Sequence, residues 1–204
     1  MSPATIFTVI LVGGLCLWLA FLYPGARRAG LIEEPRLGVL NLLGDAAEPL
    51  IEEDLAAISG PFAGVLTSYR EPPHCDVLFV YCRLTAAGKI EGDPNCCFRD
   101  LVRDSGARLV VAASDNSIAA CTAALKPTGY GKANLIVTFE RKGKAFPLFF
   151  GRLFASMAKG KSMLFTWIKL SPQIPNRGDS ERPTTLMIAE LGHLKFGPAP
   201  KAIT

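Results

Sequence analysis

Two histidines and six cysteines carry most of the nucleophilic chemistry open to this 204-residue chain. A thiol nucleophile needs an imidazole within hydrogen-bond reach of its sulfur. His74, in the loop "PPHCD", and His193, near the carboxyl end, are therefore the candidate bases for Cys82, Cys97 or Cys121. A second cluster, Ser114, Asp115 and Asn116, lies in "RLVVAASDNSIAAC" (108–121), where an apolar strand-like run meets a helix of small residues. Ligands and reacting groups gather at the carboxyl ends of strands in open α/β sheets, which makes these three residues a candidate site. Asp115–Asn116–Ser117 also fits a simpler role as the cap of the following helix, a side-chain oxygen accepting a free N–H.

Other chemistries find little support. Asp76, Asp100, Asp104 and Asp115 are the acids that a metal site would use. Arg99 and Arg103 flank the middle pair, however, and the pattern is that of a solvated helix face. Cys75, Cys82, Cys96, Cys97 and Cys121 follow no zinc spacing, and the adjacent Cys96 and Cys97 bridge each other only with strain. Reduced thiols in a cytosolic compartment are expected. No glycine-rich dinucleotide loop, Walker loop, H-E-x-x-H or G-x-S-x-G occurs, so no cofactor and no metal are predicted. "GYGKAN" (129–134) precedes a strand instead of joining strand to helix, and reads as a turn.

The elements that must position these residues alternate in type. Strands are predicted at 37–44, "AGVLTSY", "CDVLFVYCRL" (75–84), "ARLVVAA", "ANLIVTFE" and "SMLFTWIKLS", with a last strand or hairpin in "TTLMIAELGHLKF". "CDVLFVYCRL" is almost uniformly apolar, as a strand covered on both faces should be. Helices are predicted at 48–59, with Leu50, Ile51, Leu55 and Ile58 on one face, and in "CFRDLVRDSG", with Arg99 and Arg103 outward and Gly106 as stop. A third is expected in "NSIAACTAALK" and the clearest at 146–160. There Phe146, Phe149, Phe150, Leu153, Phe154 and Met157 recur at helical spacing as one apolar stripe, the signature of a core-facing helix. "GKIEGDPN" reads as turn and "PQIPNRGDSERP" as a long loop. Strands alternating with helices predict an α/β fold, a mostly parallel sheet with helices on both faces in a three-layer sandwich.

Residues 4–23, "ATIFTVILVGGLCLWLAFLY", contain no charge and span about 30 Å as a helix, the hydrocarbon thickness of a bilayer. The segment lacks the positive n-region, short apolar run and small-x-small site of a cleaved signal peptide. It is predicted to be an N-terminal transmembrane anchor, with Ile6, Leu11, Leu15, Trp18 and Leu22 in the span and Tyr23 at the interface. Arg27 and Arg28 just beyond it orient the amino terminus outside and the carboxyl side in the cytoplasm. A linker at 24–36, an α/β domain at 37–197 and a tail at 198–204 complete the expected organisation. The net charge of +4 hides an asymmetry, because thirteen Lys and Arg face four acids from Lys126 onward. That basic carboxyl half suits the anionic head groups of the leaflet beside which the domain would lie. Nucleic acid is disfavoured, since no aromatic-plus-basic motif accompanies the charge.

Three pieces in order, "CDVLFVYCRL", "FRDLVRDSGARLVVAASDNS" and "ANLIVTFERKGKAFPLFFGRLFASMAKGKS", resemble the caspase-like peptidase fold, in particular its bacterial CHAT branch. The likeness covers about residues 76–170. It implies a catalytic His at the end of the first of these strands and a nucleophilic Cys at the end of the second. The chain instead reads Cys82–Arg83–Leu84 at the first place, with Arg83 the expected occupant, and Ser114–Asp115–Asn116 at the second. A guanidinium stays protonated and cannot act as a base, and a carboxylate does not replace a thiolate in acyl transfer. The resemblance thus implies a domain without its catalytic dyad, with an Arg83–Asp115 ion pair as a structural substitute. The expected function is a membrane-anchored interaction or accessory subunit, partnered by another protein in a membrane assembly. A membrane-tethered cysteine-dependent hydrolase and a nucleotide-sensing domain are the alternatives.

Overall fold

An apolar run such as Val77–Tyr81 has no polar face to offer water, so it demands cover on both sides. The computed structural model describes residues 30–126, 133–171 and 182–197. In it the expected cover is present on both sides. The strands are β1 (Gly30–Ile32), β2 (Arg36–Asn41), β3 (Gly64–Ser68), β4 (Val77–Tyr81), β5 (Lys89–Ile90), β6 (Asp93–Cys97), β7 (Leu109–Ala112), β8 (Asn134–Glu140), β9 (Thr184–Ala189) and β10 (Leu194–Phe196). The helices are α1 (Glu48–Ile58), α2 (Phe98–Ser105), α3 (Ile118–Ala124), α4 (Ala145–Ala158) and α5 (Met163–Leu170).

Six strands form the central sheet in the order β3-β2-β4-β7-β8-β9, all parallel except β9. Residues alternate across it. Val39, Phe79, Val111 and Ile136 face one apolar cluster with α1 and α4, while Leu40, Val80, Val110 and Leu135 face a second with α2 and α3. The chain moves one way from β2 to β3 and the other way from β4 to β7 to β8. Right-handed crossovers then require α1 on one face and α2 and α3 on the opposite face, as found. The result is an α/β/α sandwich around a mostly parallel sheet.

Every residue of the predicted stripe on α4 is buried. Phe150 meets Phe79 edge-on at 5.2 Å between ring centres, and Phe154 meets Phe62 at 5.1 Å. Each such side chain contributes roughly 1.5–3 kcal/mol through burial, so this helix anchors its layer. Gly151 lets α1 approach it, because a Cβ there would lie 2.8 Å from the Ala57 carbonyl oxygen. Gly38 plays the same part on the other face. The segment linking β3 to β4 crosses β2 there without a helix, and a Cβ on Gly38 would run into the Cys75 sulfur.

Several expectations are corrected. "SMLFTWIKLS" is the helix α5, not a strand: Met163 and Thr166 are buried three residues apart while Phe165 and Ile168 face solvent, and β9 holds the antiparallel place beside β8. Arg99 points inward, where it meets Glu190 at 2.6 Å. "GKIEGDPN" contributes β5 and β6 of a small antiparallel hairpin. The last segment splits, β9 joining the main sheet and β10 pairing in parallel with β1, which lies within the stretch read as linker. On α1, Leu50 is exposed and the buried positions are Ile51, Asp54 and Ile58. The expected anchor at 4–23, with Arg27 and Arg28, and the tail at 198–204 lie outside the described residues. Among the described residues no helix is long and apolar enough to cross a membrane.

Candidate functional site

The parallel pairing of β4 with β7 brings the two places singled out in the sequence to neighbouring strand ends. Arg83 follows β4, and Ser114, Asp115 and Asn116 follow β7. Arg83 is exposed and lines an open groove of about 540 Å³ with Leu42, Leu43, Ala46 and Leu50. Asp115 does not pair with it. Its Oδ1 accepts instead from the backbone N–H of Arg141 at 2.7 Å, tying the end of β7 to the end of β8. The expected Arg83–Asp115 ion pair is therefore absent.

Asn116 is buried and fully engaged. Its Oδ1 accepts from the Leu84 N–H at 2.9 Å, and its Nδ2 donates to the Ser114 carbonyl at 2.7 Å and the Thr138 carbonyl at 3.2 Å. One amide thus ties the segments beyond β4 and β7 to β8 itself, at Thr138, leaving little capacity for a ligand. Ser117, not Asp115 or Asn116, caps α3, accepting from the Ala120 N–H at 3.2 Å. The Ser114 and Thr138 hydroxyls are buried without a protein partner.

Beneath these strand ends lies a group the sequence reading passed over. Arg141, the first residue after β8, donates to both carboxylate oxygens of Asp54 at 2.8 Å each and to the Ala113 carbonyl. The Tyr81 hydroxyl donates to Asp54 Oδ2 at 2.7 Å. The guanidinium stands 3.9 Å from the centre of the Phe146 ring, within cation–π range. Burial pushes the Asp54 carboxyl above its ordinary value, and Arg141 and Tyr81 pull it back. Burial also pushes the Tyr81 hydroxyl upward. An acid three residues after Ile51 and four before Ile58, on the apolar face of α1, was the signal for this pair. Its partner lies 87 residues away, which local pattern does not reveal.

All five described cysteines are free. Burial pushes Cys75 and Cys82 up to about 12 and Cys121 up to about 11. Cys121 Sγ faces the Thr138 carbonyl at 3.8 Å and Cys97 Sγ the Gly88 carbonyl at 3.8 Å. His74 is exposed on its loop. His193 Nδ1 lies 2.8 Å from Ser162 Oγ, and its ring rests against Phe165. This contact is at the opposite end of the sheet, beyond the start of β8. Among the described residues no cysteine sulfur hydrogen-bonds to an imidazole, and no three His, Cys, Asp or Glu side chains converge to hold a metal ion. Arg103 pairs with Asp100 and Asp104 at 2.8 Å each on the solvated face of α2. No family model matches this chain, and no curated protein matches it in sequence.

Proposed function

We propose that the chain is a membrane-anchored, non-catalytic relative of the caspase-like fold, serving as an interaction or accessory subunit of a membrane assembly. The observation that carries this reading is the state of the carboxyl edge. Where a base and a nucleophile would meet, Arg83 is solvated and Asp115 and Asn116 are occupied in holding strand ends together. The central sheet supports the fold assignment: its five parallel strands run 2-1-3-4-5, the flavodoxin-like order, with an antiparallel strand at the edge. The anchor rests on the uncharged residues 4–23 and their orientation on Arg27 and Arg28.

An electrophilic thiol probe on the full chain at neutral pH tests the loss of chemistry. The expected result is slow modification of Cys75, Cys82 and Cys121, because little thiolate is present at such raised values. A single hyper-reactive cysteine overturns the reading in favour of the cysteine-dependent hydrolase. Protease protection in membrane vesicles tests the anchor, with the α/β domain expected on the cytoplasmic side.

A further inference from the structure

An open cleft of about 650 Å³ lies between the start of α4, the end of α5 and the start of β9. Five cations line it: Lys142, Lys144, Arg152, Lys169 and Arg182. Lys142 meets Glu140, and Arg182 donates to the Leu170 carbonyl. Lys144, Arg152 and Lys169 have no carboxylate partner among the described residues. Cationic side chains gathered around one cavity repel each other and raise its potential, the condition that concentrates anions.

The local structure adds to this imbalance. Lys144 is the N-cap of α4, makes no side-chain cap, and is followed by a first turn without an acid. A helix start already carries positive partial charge and favours an anionic neighbour. Here the chain puts lysines there instead, an arrangement unfavourable for the helix unless an anion sits nearby. Backbone cradling of that anion is limited, since the Ala145 and Phe146 N–H groups are taken by the preceding turn and Pro147 has none. Recognition therefore falls to the side chains. Lys144, Leu148 and Arg152 follow one another at four-residue intervals along α4, giving the cleft an apolar strip between two cations.

We infer that this cleft binds a small ligand carrying two or more phosphate groups on an uncharged scaffold. Arg152 supplies a planar fork for phosphate oxygens, the lysines supply point charges, and the exposed Leu148 faces the scaffold. Lys144, Arg152 and Lys169 together carry three positive charges without a carboxylate partner among the described residues, more than the two negative charges that a single phosphate carries at most near neutral pH. The inference stands on the cleft alone and does not depend on whether the domain is catalytic.

The test uses the full chain in a mild non-ionic detergent, with Trp167 fluorescence or calorimetry as readout. The probes are ATP, inositol trisphosphate, pyrophosphate and orthophosphate, with short-chain phosphatidylinositol bisphosphate and phosphatidylserine as lipid arms. Saturable binding of at least one polyphosphate probe is expected, at least tenfold tighter than orthophosphate. Lys144→Glu and Arg152→Gln should each weaken it at least tenfold, while Lys159→Glu, at the far end of α4, changes it less than twofold. Preference for ATP points to a soluble source and preference for the phosphoinositide to a lipid head group; each supports the site. Absence of saturable binding at millimolar probe overturns the inference. So does equal weakening by Lys159→Glu, which would mean general charge attraction.

Discussion

Arg141 and Lys142 are consecutive cations beyond β8, and they occupy opposite electrostatic surroundings. Arg141 is withdrawn from water and held by Asp54, Tyr81, the Ala113 carbonyl and the Phe146 ring. Lys142 opens onto a cleft whose cations outnumber the acids beside them among the described residues. A desolvated charge persists only with near-complete compensation, and removing one partner leaves the other stranded. Solvated charges tolerate imbalance at small cost and remain available to a ligand. The first region is therefore architecture and the second a surface open to binding, although the two adjoin.

The largest test of that contrast removes the buried acid. Asp54→Ala should destabilise the domain by about 3–5 kcal/mol in urea denaturation, because Arg141 is left buried and uncompensated. The double variant Asp54→Leu with Arg141→Met should recover most of this loss. A fall below about 1 kcal/mol for Asp54→Ala would mean that Arg141 escapes to solvent, and the contrast fails.

Asn116→Ala should cost about 2–3 kcal/mol, since the buried Leu84 N–H and two carbonyls lose their partner. A near-neutral result would return Asn116 to the list of groups free to meet a ligand.

The buried thiols predict a response to alkaline pH. Below about pH 9 Cys82 is protonated in both folded and unfolded chains and contributes nothing. Above that pH the unfolded thiol ionises while the folded one holds its proton up to about 12. Cys82 alone should lower stability by about 1.4 kcal/mol per pH unit across this window, in addition to what Cys75 and Cys121 contribute. Cys82→Ala, measured against pH, should flatten the slope.

The smallest effect belongs to the cleft. Lys144→Glu should stabilise the ligand-free domain by about 0.3–1 kcal/mol at low salt, by placing an acid at the start of α4. Salt should shrink the gain. A loss of stability would show that Lys144 serves the fold and not the cleft.

Much of the scaffold follows from local pattern. The uniform apolarity of Val77–Tyr81 and Leu109–Ala112 demands interior strands, and the stripe from Phe146 to Met157 demands a core-facing helix, whatever lies elsewhere. Met163–Leu170 shows the limit: it is apolar at nearly every position, so neither a period of two nor one of 3.6 stands out, and the neighbours of β8 decide the outcome. Arg99 shows a second limit, its inward turn depending on Glu190, 91 residues away.

The sequence by itself determined the alternating layers and the surplus of cations in the carboxyl half, because each depends on residue type and short-range spacing. Only the tertiary structure decided which cation is buried and which lines a cleft. Burial and pairing depend on distant segments such as α1 and β8 being brought together by the sheet, and no local window records that meeting.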